Sequence, residues 1–364
     1  MYKRQLHINA DVADAVRRYV NVTGDETFAE QEGGELLVET ARLWISAGCY
    51  DHAGNFRIDG VTGPDEYSAL VDNNVFTNLG AQVNLSAAAD TAARLPALAD
   101  RLEVSEEEVK RWRDASEAMY VPYDERLGVH PQDQGFLLHD PWDFAGTPPE
   151  KYPLLLNFPY FQLYRRQVCK QADLVLALHL HGDVFSAEEK RRNFDYYDGL
   201  TVRDSSLSAC TQAIMAAEVG HLDLSYDYLR EAAFVDLHDL HHNTGDGLHI
   251  ASLAGAVLAV TNGFGGMRDS GGLRFCPRLP RDVPAVSFAV TVRGARMRVH
   301  IDQERARYEL ETGEAVAFAH WGEEVRVEMG TPLELPTPPV EDLPRPKQPP
   351  GRAPDRHKHA LREG

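Results

Sequence analysis

The first 262 residues show the spacing of amphipathic helices. Apolar residues recur three or four positions apart: Leu37, Ala41, Trp44 and Ile45, then Val75, Leu79 and Val83, then Val109, Trp112 and Met119. Polar start signals precede such stretches: possible capping boxes at Thr27 with Glu30, Ser105 with Glu108 and Ser186 with Glu189, and a cap at Asp72. The pattern predicts about nine helices over residues 1–265, with the last ones beginning near Ser206, Leu222 and Leu248.

After Gly263 the spacing changes to strand-like alternation. The alternating apolar residues are Val286, Phe288, Val290 and Val292, then Met297, Val299 and Ile301, and further along Tyr308, Leu310, Val316, Phe318, Val325, Val327 and Met329. Their hairpin spacing predicts a small antiparallel β domain over residues 266–336. The glycine-rich GFGGM at 263–267 has no preceding strand, so we interpret it as the junction rather than as a dinucleotide loop.

Two segments lack either period. Residues 120–159 are rich in Pro, Gly and aromatic residues, and a connection of that length is usually functional or disordered. Residues 337–364 are dominated by Pro and charged residues and contain no aromatic residue. Such a composition does not offset chain entropy, which predicts a disordered tail over 337–364.

Composition narrows the class of protein. The chain has 364 residues, with 37 Lys and Arg against 56 Asp and Glu, and its formal charge of −19 repels nucleic acid. No apolar run is long enough to span a bilayer, and the start of the chain lacks the apolar core of a secretory signal. The four cysteines lack metal or redox spacing. We expect a cytoplasmic protein with reduced thiols and neither a nucleic-acid nor a membrane partner.

The segment from Phe56 to Asn78 holds the first candidate chemistry. A turn at GP presents Asp65 and Glu66 beside Tyr67. A carboxyl group held against an aromatic ring and partly desolvated acquires the raised pKa that a general acid needs at neutral pH. The alternative is a solvated acidic turn without a catalytic role.

Three further clusters stand at predicted helix starts. They are Lys170 and Gln171 in KQAD, Ser205 and Ser206 in RDSSLS, and Gly247 and His249 in TGDGLH. Hydroxyls and free N–H groups at a helix start bind anions, and two such starts close in sequence suggest one phosphate site. The alternative is helix capping alone, since Ser and Asp are the usual N-cap residues.

The histidines between residues 238 and 249 do not indicate a metal site. His238, His241, His242 and His249 are accompanied by neither cysteine nor HExxH spacing. We therefore predict no metal ligand among them.

These motifs together resemble glycoside hydrolase family 65. GVTGPDEY, VDNNVFTN, KQAD, DSSLS, NTGDGLHIASLAG and GFGGMR follow one another in the order and spacing of its C-terminal half, over roughly residues 25–335. The resemblance implies a mainly α fold, a partial (α/α)6 barrel followed by a small antiparallel β-sandwich. It also implies inverting phosphorolysis of an α-linked glucosyl disaccharide of the maltose, trehalose or kojibiose type, giving β-glucose 1-phosphate and a free sugar.

The resemblance assigns a role to each cluster. Glu66 matches the family's general acid, and the pair Lys170 and Gln171 matches residues that bind the glucosyl unit. The phosphate cradle is carried over to Ser205, Ser206, Gly247 and His249. Inorganic phosphate is the co-substrate and attacks C1 opposite the acid, so no metal or organic cofactor is implied.

The sequence also departs from the family. Family members are typically twice as long, and an (α/α)6 barrel has twelve helices against about nine predicted here, so the first three or so have no counterpart. Either a second polypeptide supplies them or the sequence is truncated. Ser68 and Gln212 stand where many members carry His, which bears on substrate identity and phosphate affinity.

The expected partners are therefore a disaccharide and phosphate. The full-length family implies a homodimer, with a missing N-terminal portion in cis or as a partner chain. Two alternatives remain at this stage. One is an inverting α-glucosidase or trehalase on the same scaffold, and the other is a non-catalytic carbohydrate-binding remnant.

Overall fold

The computed structural model describes residues 4–354, in which helices fill most of the chain up to residue 264. The α-helices are α1 (His7–Thr23), α2 (Glu26–Phe28), α3 (Gly34–Ala47), α4 (Val75–Arg94), α5 (Pro96–Arg101), α6 (Glu106–Glu117), α7 (Leu154–Asn157), α8 (Tyr160–Leu163), α9 (Leu174–Leu180), α10 (Ala187–Asp198), α11 (Ser208–Val219), α12 (Leu222–Ala233) and α13 (Ile250–Leu258). Two π-helical turns, Ala29–Gly33 and Ala259–Phe264, lie directly before α3 and after α13. Within the described part, none of these helices is long and apolar enough to cross a membrane.

The strands concentrate after residue 273. They are β1 (Cys49–Tyr50), β2 (Phe56–Arg57), β3 (Asp140–Pro141), β4 (Arg166–Gln167), β5 (Arg274–Phe275), β6 (Ala285–Val292), β7 (Ala295–Asp302), β8 (Arg305–Thr312), β9 (Ala315–His320), β10 (Glu323–Glu328) and β11 (Leu333–Pro336). The first four form two short two-stranded sheets, β1-β2 and β3-β4. The later strands form a four-stranded sheet, β11-β8-β7-β6, and a three-stranded sheet, β10-β9-β5.

The chain folds into two compact units. Unit 1 comprises Met1–Pro141 and Phe158–Gln167, and unit 2 comprises Trp142–Asn157 and Val168–Gly364. The predicted change from helices to strands near residue 265 is therefore not the division between the units. The helices and strands on either side of residue 265 stay in one unit because Ala217 and Phe264 of the helical region share one apolar core with the strands.

The core of unit 1 is built from α1, α3, α4 and α6. Val38, Ala41 and Trp44 of α3 are fully buried, and the Trp44 indole donates to Asn84 Oδ1 of α4 at 2.9 Å. The predicted α3 stripe is confirmed by this burial. Helix α1 was not predicted, because two of its four buried residues are alanines and a third is His7, which together give a weak apolar signal.

The predicted helix starts have mixed outcomes. Ser186 with Glu189 forms the predicted capping box. Ser105 accepts a hydrogen bond from the Glu108 N–H at 3.2 Å, which confirms the cap, but the Glu108 carboxylate accepts from Arg42 instead of completing a box. Capping by Thr27 is wrong, because Asp25 accepts from the Phe28 N–H at 2.9 Å. Capping by Asp72 is also wrong, because the helix begins later, behind Asn74.

The predicted strands after Gly263 are confirmed, with two short strands added. On β7, inward residues such as Met297, Val299 and Ile301 alternate with exposed ones, and all three are fully buried. All pairs in the four-stranded sheet are antiparallel, whereas β5 pairs in parallel with β9. Strands β5 and β11 were not predicted, since two and four residues are too few to show alternation.

The structure differs from the predicted disorder of residues 337–364. Up to residue 354 the segment runs along the helices of unit 2, and residues 355–364 lie outside the described part. The Leu343 N–H donates to Gly220 O at 2.9 Å, and Asp342 Oδ1 accepts from the Leu222 N–H at the start of α12, also at 2.9 Å. Few apolar residues are available for burial in this segment, as its composition shows, but hydrogen bonds and ion pairs to other parts of the unit hold it in place.

Candidate active site

Glu66 lies in a fixed loop of unit 1. It is half-buried between Asp65, which is 0% exposed, and Tyr67, which is 1% exposed. The Tyr67 N–H donates to Asp65 Oδ1 at 3.2 Å, which fixes the backbone on both sides of Glu66. The alternative of a solvated acidic turn is therefore wrong for Asp65.

Gln132 ties this loop to the segment around residues 130–135. Its Nε2 donates to Asp65 Oδ2 at 3.0 Å and lies 3.2 Å from Ser68 Oγ. The two acceptors precede and follow Glu66 in the chain. One buried amide therefore holds both flanks of Glu66.

Asp133, next to this amide, is a buried carboxyl group. It is 3% exposed, and burial raises its pKa to about 7, an effect that the negative charge of Asp65 strengthens. The Gly135 N–H donates to Asp133 Oδ1 at 2.9 Å and opposes the rise. Asp133 is thus a carboxyl group with a raised pKa that the sequence did not single out.

The VDNNVFTN motif forms the frame of the loop. Asn74 caps α4 by accepting from the Thr77 N–H at 2.9 Å, and its Nδ2 donates to Gln132 O at 3.3 Å. Asn73 adopts a positive φ of 52° and donates to Gln134 Oε1 at 3.0 Å. The amide side chains therefore link the start of α4 to both residues that flank Asp133.

In unit 2, a parallel bridge aligns two of the predicted clusters. The Cys169 N–H donates to Leu200 O at 3.0 Å, and the Val202 N–H donates to Cys169 O at 2.9 Å. Lys170 and Gln171 follow directly after this bridge and are half-buried. The strand-like segment beside them continues into the RDSSLS motif, so the KQAD and RDSSLS motifs leave the bridge side by side and in the same direction.

The serines of RDSSLS precede and begin α11. Ser205 Oγ accepts from the Leu207 N–H at 3.3 Å, which is a local turn contact ahead of α11. The N-cap residue of α11 is Leu207, and no side chain caps the helix. Ser206 is half-buried, and Ser208, the first residue of α11, is fully buried with an Oγ that has no hydrogen-bond partner in the described part. The local turn accounts for the acceptor role of Ser205 but leaves the buried Ser208 hydroxyl unexplained.

Asp204 directly precedes these serines. Its Oδ1 accepts from Arg352 Nη2 at 2.8 Å, and its Oδ2 accepts from the Leu154 N–H at 2.8 Å. Its side chain is 1% exposed. This buried carboxylate ties three separate parts of unit 2 together at the entrance to α11.

His249 is held by a carboxylate as well. Asp236 Oδ2 accepts from the His249 N–H at 2.9 Å, and Asp236 Oδ1 lies 2.6 Å from His249 Nδ1. Gly247, two residues earlier, has φ 135°, a conformation that L side chains rarely adopt. The His241 and His249 rings lie 5.9 Å apart, and burial lowers the pKa of His241.

Unit 2 therefore brings several of the predicted residues into one neighbourhood. The charges of His249, Arg352 and Asp204 each influence the pKa of His241. His241 therefore lies near both the histidine of TGDGLH and the start of RDSSLS. Glu66 belongs to unit 1, whereas Lys170 and the other binding candidates belong to unit 2.

The histidine-rich stretch shows no metal centre. Among residues 4–354, no group of three or more His, Cys, Asp or Glu side chains has an arrangement that holds a metal ion. His238 stacks on Phe234 with ring centroids 4.9 Å apart, and the side chain of His242 is 90% exposed.

Sequence reasoning missed four residues of these clusters. Gln132 and Asp133 lie in the irregular 120–159 connection, whose only signal was its unusual length. Asp236 lies thirteen residues before its histidine, and Arg352 lies in the segment predicted to be disordered. Local sequence patterns carry no signal for such long-range partners.

Comparison with known sequences assigns both parts of the chain. The profile of the glycosyl hydrolase family 65 central catalytic domain matches residues 1–258, and that of the family's C-terminal domain matches residues 267–327. An uncharacterised glycosyl hydrolase of Mycobacterium leprae is 49% identical over 360 residues, covering 97% of this chain and 45% of that protein.

Relatives with named activities are also similar. The α,α-trehalose phosphorylase of Geobacillus stearothermophilus is 43% identical over 91% of this chain and 44% of its own length. The solved structure of a kojibiose phosphorylase candidate from the human microbiome superposes with a TM-score of 0.83 at 25% identity, covering 92% of this chain and 50% of that one. The chain thus spans about half the length of the curated relatives it matches.

Proposed function

Because the chain belongs to glycosyl hydrolase family 65, we propose that it carries the catalytic groups of an inverting glycoside phosphorylase. The substrates are an α-linked glucosyl disaccharide of the trehalose, maltose or kojibiose type and inorganic phosphate. The products are β-glucose 1-phosphate and a free sugar. Relatives named trehalose, maltose and kojibiose phosphorylase support this reaction class.

Glu66 is the proposed general acid. Its proton passes to the glycosidic oxygen as the bond from that oxygen to C1 breaks, and a phosphate oxygen forms the new bond to C1 from the opposite face. The buried Asp65 and the Gln132 amide support this role, because they fix the loop on both sides of Glu66. A general acid in such a fixed loop loses little conformational entropy when it approaches the leaving oxygen.

The phosphate cradle is proposed at the start of α11. The hydroxyl groups of Ser205 and Ser206 donate hydrogen bonds to phosphate oxygens, and Gly247 and His249 line the same site. The observation that carries this assignment is the Ser208 hydroxyl, which is fully buried at the first residue of α11 and has no partner in the described part of the chain. A buried donor at a helix N-terminus is what an oxyanion ligand would satisfy.

The paired state of the nearby carboxylates favours phosphorolysis over hydrolysis. Asp204 is bonded to Arg352, Glu231 to Arg203, and Asp236 to His249. A hydrolase needs a carboxylate that accepts a proton from water, whereas phosphate arrives as an anion and needs no base. Each of these three carboxylates is instead engaged by a cationic or histidine partner.

Lys170 and Gln171 are proposed to bind the glucosyl unit. Their backbone is fixed by the bridge at Cys169, so an ammonium and an amide group project from a rigid segment. Hydroxyl groups of a sugar accept from and donate to such groups. This assignment rests on the match of the KQAD motif to the family.

The proposal also includes the finer architecture. The helical region to residue 265 forms the later part of an (α/α)6 barrel that serves as catalytic domain, and residues 266–336 form an accessory β-sandwich. Turnover requires sequence equivalent to the unmatched half of the relatives, in cis or as a second chain, and the assembled enzyme is a homodimer.

Product analysis tests the proposal. The chain, joined to the N-terminal half of the Mycobacterium leprae relative, is incubated with trehalose, maltose or kojibiose in the presence and absence of phosphate. We expect glucose 1-phosphate only with phosphate. Phosphate-independent release of glucose supports the glucosidase or trehalase alternative, and calorimetric binding of a disaccharide without turnover supports a non-catalytic binding protein.

A further inference from the structure

The C-terminal segment of unit 2 forms a strap, which we define as residues 340–352. Asp342 Oδ1 accepts from the Leu222 N–H at the N-terminus of α12, and Leu343 packs on Gly220, where an added Cβ would lie 3.3 Å from its Cδ1. Further along, Arg345 forms an ion pair with Asp227, whose side chain is 3% exposed. The strap is thus bonded to α12 along its length rather than resting loosely on the surface.

The strap ends at the entrance to α11. Arg352 Nε donates to Val202 O at 2.7 Å, and its Nη2 donates to Asp204 Oδ1 at 2.8 Å. The guanidinium also lies over the Tyr152 ring, 4.6 Å from its centroid. A carbonyl, a carboxylate and an aromatic face therefore converge on one arginine, an arrangement suited to a planar guanidinium.

These contacts place a counter-charge beside the proposed phosphate serines. Asp204 immediately precedes Ser205, and its buried carboxylate would repel an incoming phosphate unless a cation balanced it. Arg352 provides that cation. The second oxygen of Asp204 holds the Leu154 N–H, so the same pair fixes the backbone on the far side of the cluster.

We propose that Arg352 is a positioning residue for phosphate, which neutralises and orients Asp204 and so makes the Ser205 and Ser206 hydroxyls available to the anion. The inference rests on the proposed function, since it assumes that phosphate binds at these serines. It assigns the strap a role in co-substrate binding beyond covering the helices.

Arg345 provides a matched control. It belongs to the same strap and pairs with another buried aspartate, Asp227 on α12, which does not adjoin the serines. Replacing either arginine by methionine removes one ion pair from the strap and takes its arginine partner from one buried carboxylate. A purely structural strap predicts similar effects of the two substitutions on phosphate binding.

The experiment measures binding of inorganic phosphate by calorimetry to the full chain and to Arg352→Met, Arg345→Met and the double variant Arg352→Met with Asp204→Asn. We expect Arg352→Met to weaken phosphate binding about tenfold or more, the size of a lost hydrogen bond to a charged group. Arg345→Met leaves it within about twofold. The double variant recovers most of the loss, because the unbalanced charge is gone.

Hydrogen exchange at the Leu154 amide provides a readout independent of phosphate. Arg352→Met should speed this exchange while Arg345→Met does not, because Arg352 bonds the carboxylate that accepts from the Leu154 N–H, whereas Arg345 bonds Asp227. Equal phosphate affinities in the two single variants, or no recovery in the double variant, would overturn the inference. If the unmodified chain binds no phosphate, the proposed phosphate site is wrong. Accelerated exchange in Arg352→Met would then show that the contact to Asp204 holds and that the error lies in the proposed function. Unchanged exchange would overturn the positioning role of Arg352 as well.

Discussion

The side-chain amide of Gln132 donates to the fully buried carboxylate of Asp65 at 3.0 Å, across 67 positions of sequence. The same nitrogen lies 3.2 Å from Ser68 Oγ. One residue of an irregular connection thus determines the position of the loop that carries Glu66. We therefore expect the activity proposed for the chain to depend on this contact in addition to Glu66 itself.

Replacing Gln132 by leucine should lower both stability and turnover. Asp65 loses a buried donor, which costs about 1–3 kcal/mol of unfolding free energy. The loosened loop lowers kcat more than it raises KM for the disaccharide. Urea unfolding and steady-state kinetics check this, with Gln82→Leu as the control, since Gln82 donates instead to Ser116 O at 2.8 Å. An equal loss of kcat in both variants would contradict the assigned role.

Glu66→Gln should abolish turnover and leave the fold intact. The amide keeps the shape of the side chain but cannot supply the proton, and general acid catalysis contributes about 10²–10⁴-fold. The assay is phosphorolysis by the assembled enzyme together with thermal melting. Glu117→Gln, at an exposed glutamate of α6, should keep full activity. More than a tenth of the original activity in Glu66→Gln, with an unchanged Tm, would refute the assignment.

Asp133 should make stability fall as pH rises. The pKa of its carboxyl is about 7 in the folded protein and about 3.9 in an unfolded chain, so between these values the folded state binds more protons. The free energy of unfolding therefore decreases from about pH 4 to about pH 7, by at most about 1.4 kcal/mol per pH unit from this group.

The substitution Asp133→Asn isolates this contribution. The amide oxygen can still accept from the Gly135 N–H, but the group no longer titrates. Denaturant unfolding at several pH values between 4.5 and 7.5 should show that the variant gains stability relative to the unmodified chain as pH rises. Parallel curves for the two proteins would mean that Asp133 titrates normally.

Replacing Ser205 and Ser206 together by alanine should affect phosphate selectively. Each lost hydrogen bond to a charged oxygen costs about 1.5–3 kcal/mol, which raises KM for phosphate more than KM for the disaccharide. Ser186→Ala is the control, because Ser186 is a helix cap in the same unit and its loss should change only stability. If the two Michaelis constants rise equally, capping is the whole role of the serines.

Helix α13 should drive self-association of the chain. Ile250 and Val257, seven positions apart on one face, are 65% and 62% exposed, and Leu248 beside them is 63% exposed. A contiguous apolar patch of this kind finds a partner or aggregates. Light scattering should show oligomers that Ile250→Glu with Val257→Glu reduces and that Leu138→Glu, at an exposed leucine of unit 1, does not. A monodisperse monomer before substitution would contradict this expectation.

The regular elements were predictable where local signals are strong. The α3 stripe, the caps at Ser105 and Ser186 and the hairpin series all follow from periodicity and capping chemistry, which act within a few residues. Helix α1 escaped because Ala10 and Ala13 contribute little apolar contrast. The order of residues 340–352 escaped because its stabilising partners lie more than a hundred residues away.

The same distinction holds for the candidate site. Asp65 and Glu66 could be selected because they share one short motif with a turn and an aromatic residue. Gln132, which donates to Asp65, and Asp133, whose pKa the charge of Asp65 raises, are separated from them by more than sixty residues and occur in a segment without periodicity. Arg352 illustrates the limit most clearly, because its segment's composition predicted disorder while its single carboxylate partner fixes it in place.

The dependence of the product on phosphate separates phosphorolysis from hydrolysis. The measurement follows the chain, joined to the N-terminal half of its Mycobacterium leprae relative, by proton NMR with disaccharide and with or without phosphate. We expect β-glucose 1-phosphate to appear only when phosphate is present, at the rate at which disaccharide is consumed. Glu66→Gln should stop both the formation of this product and the consumption of disaccharide. Glucose released at the same rate without phosphate, or α-glucose 1-phosphate as the first product, would contradict this expectation.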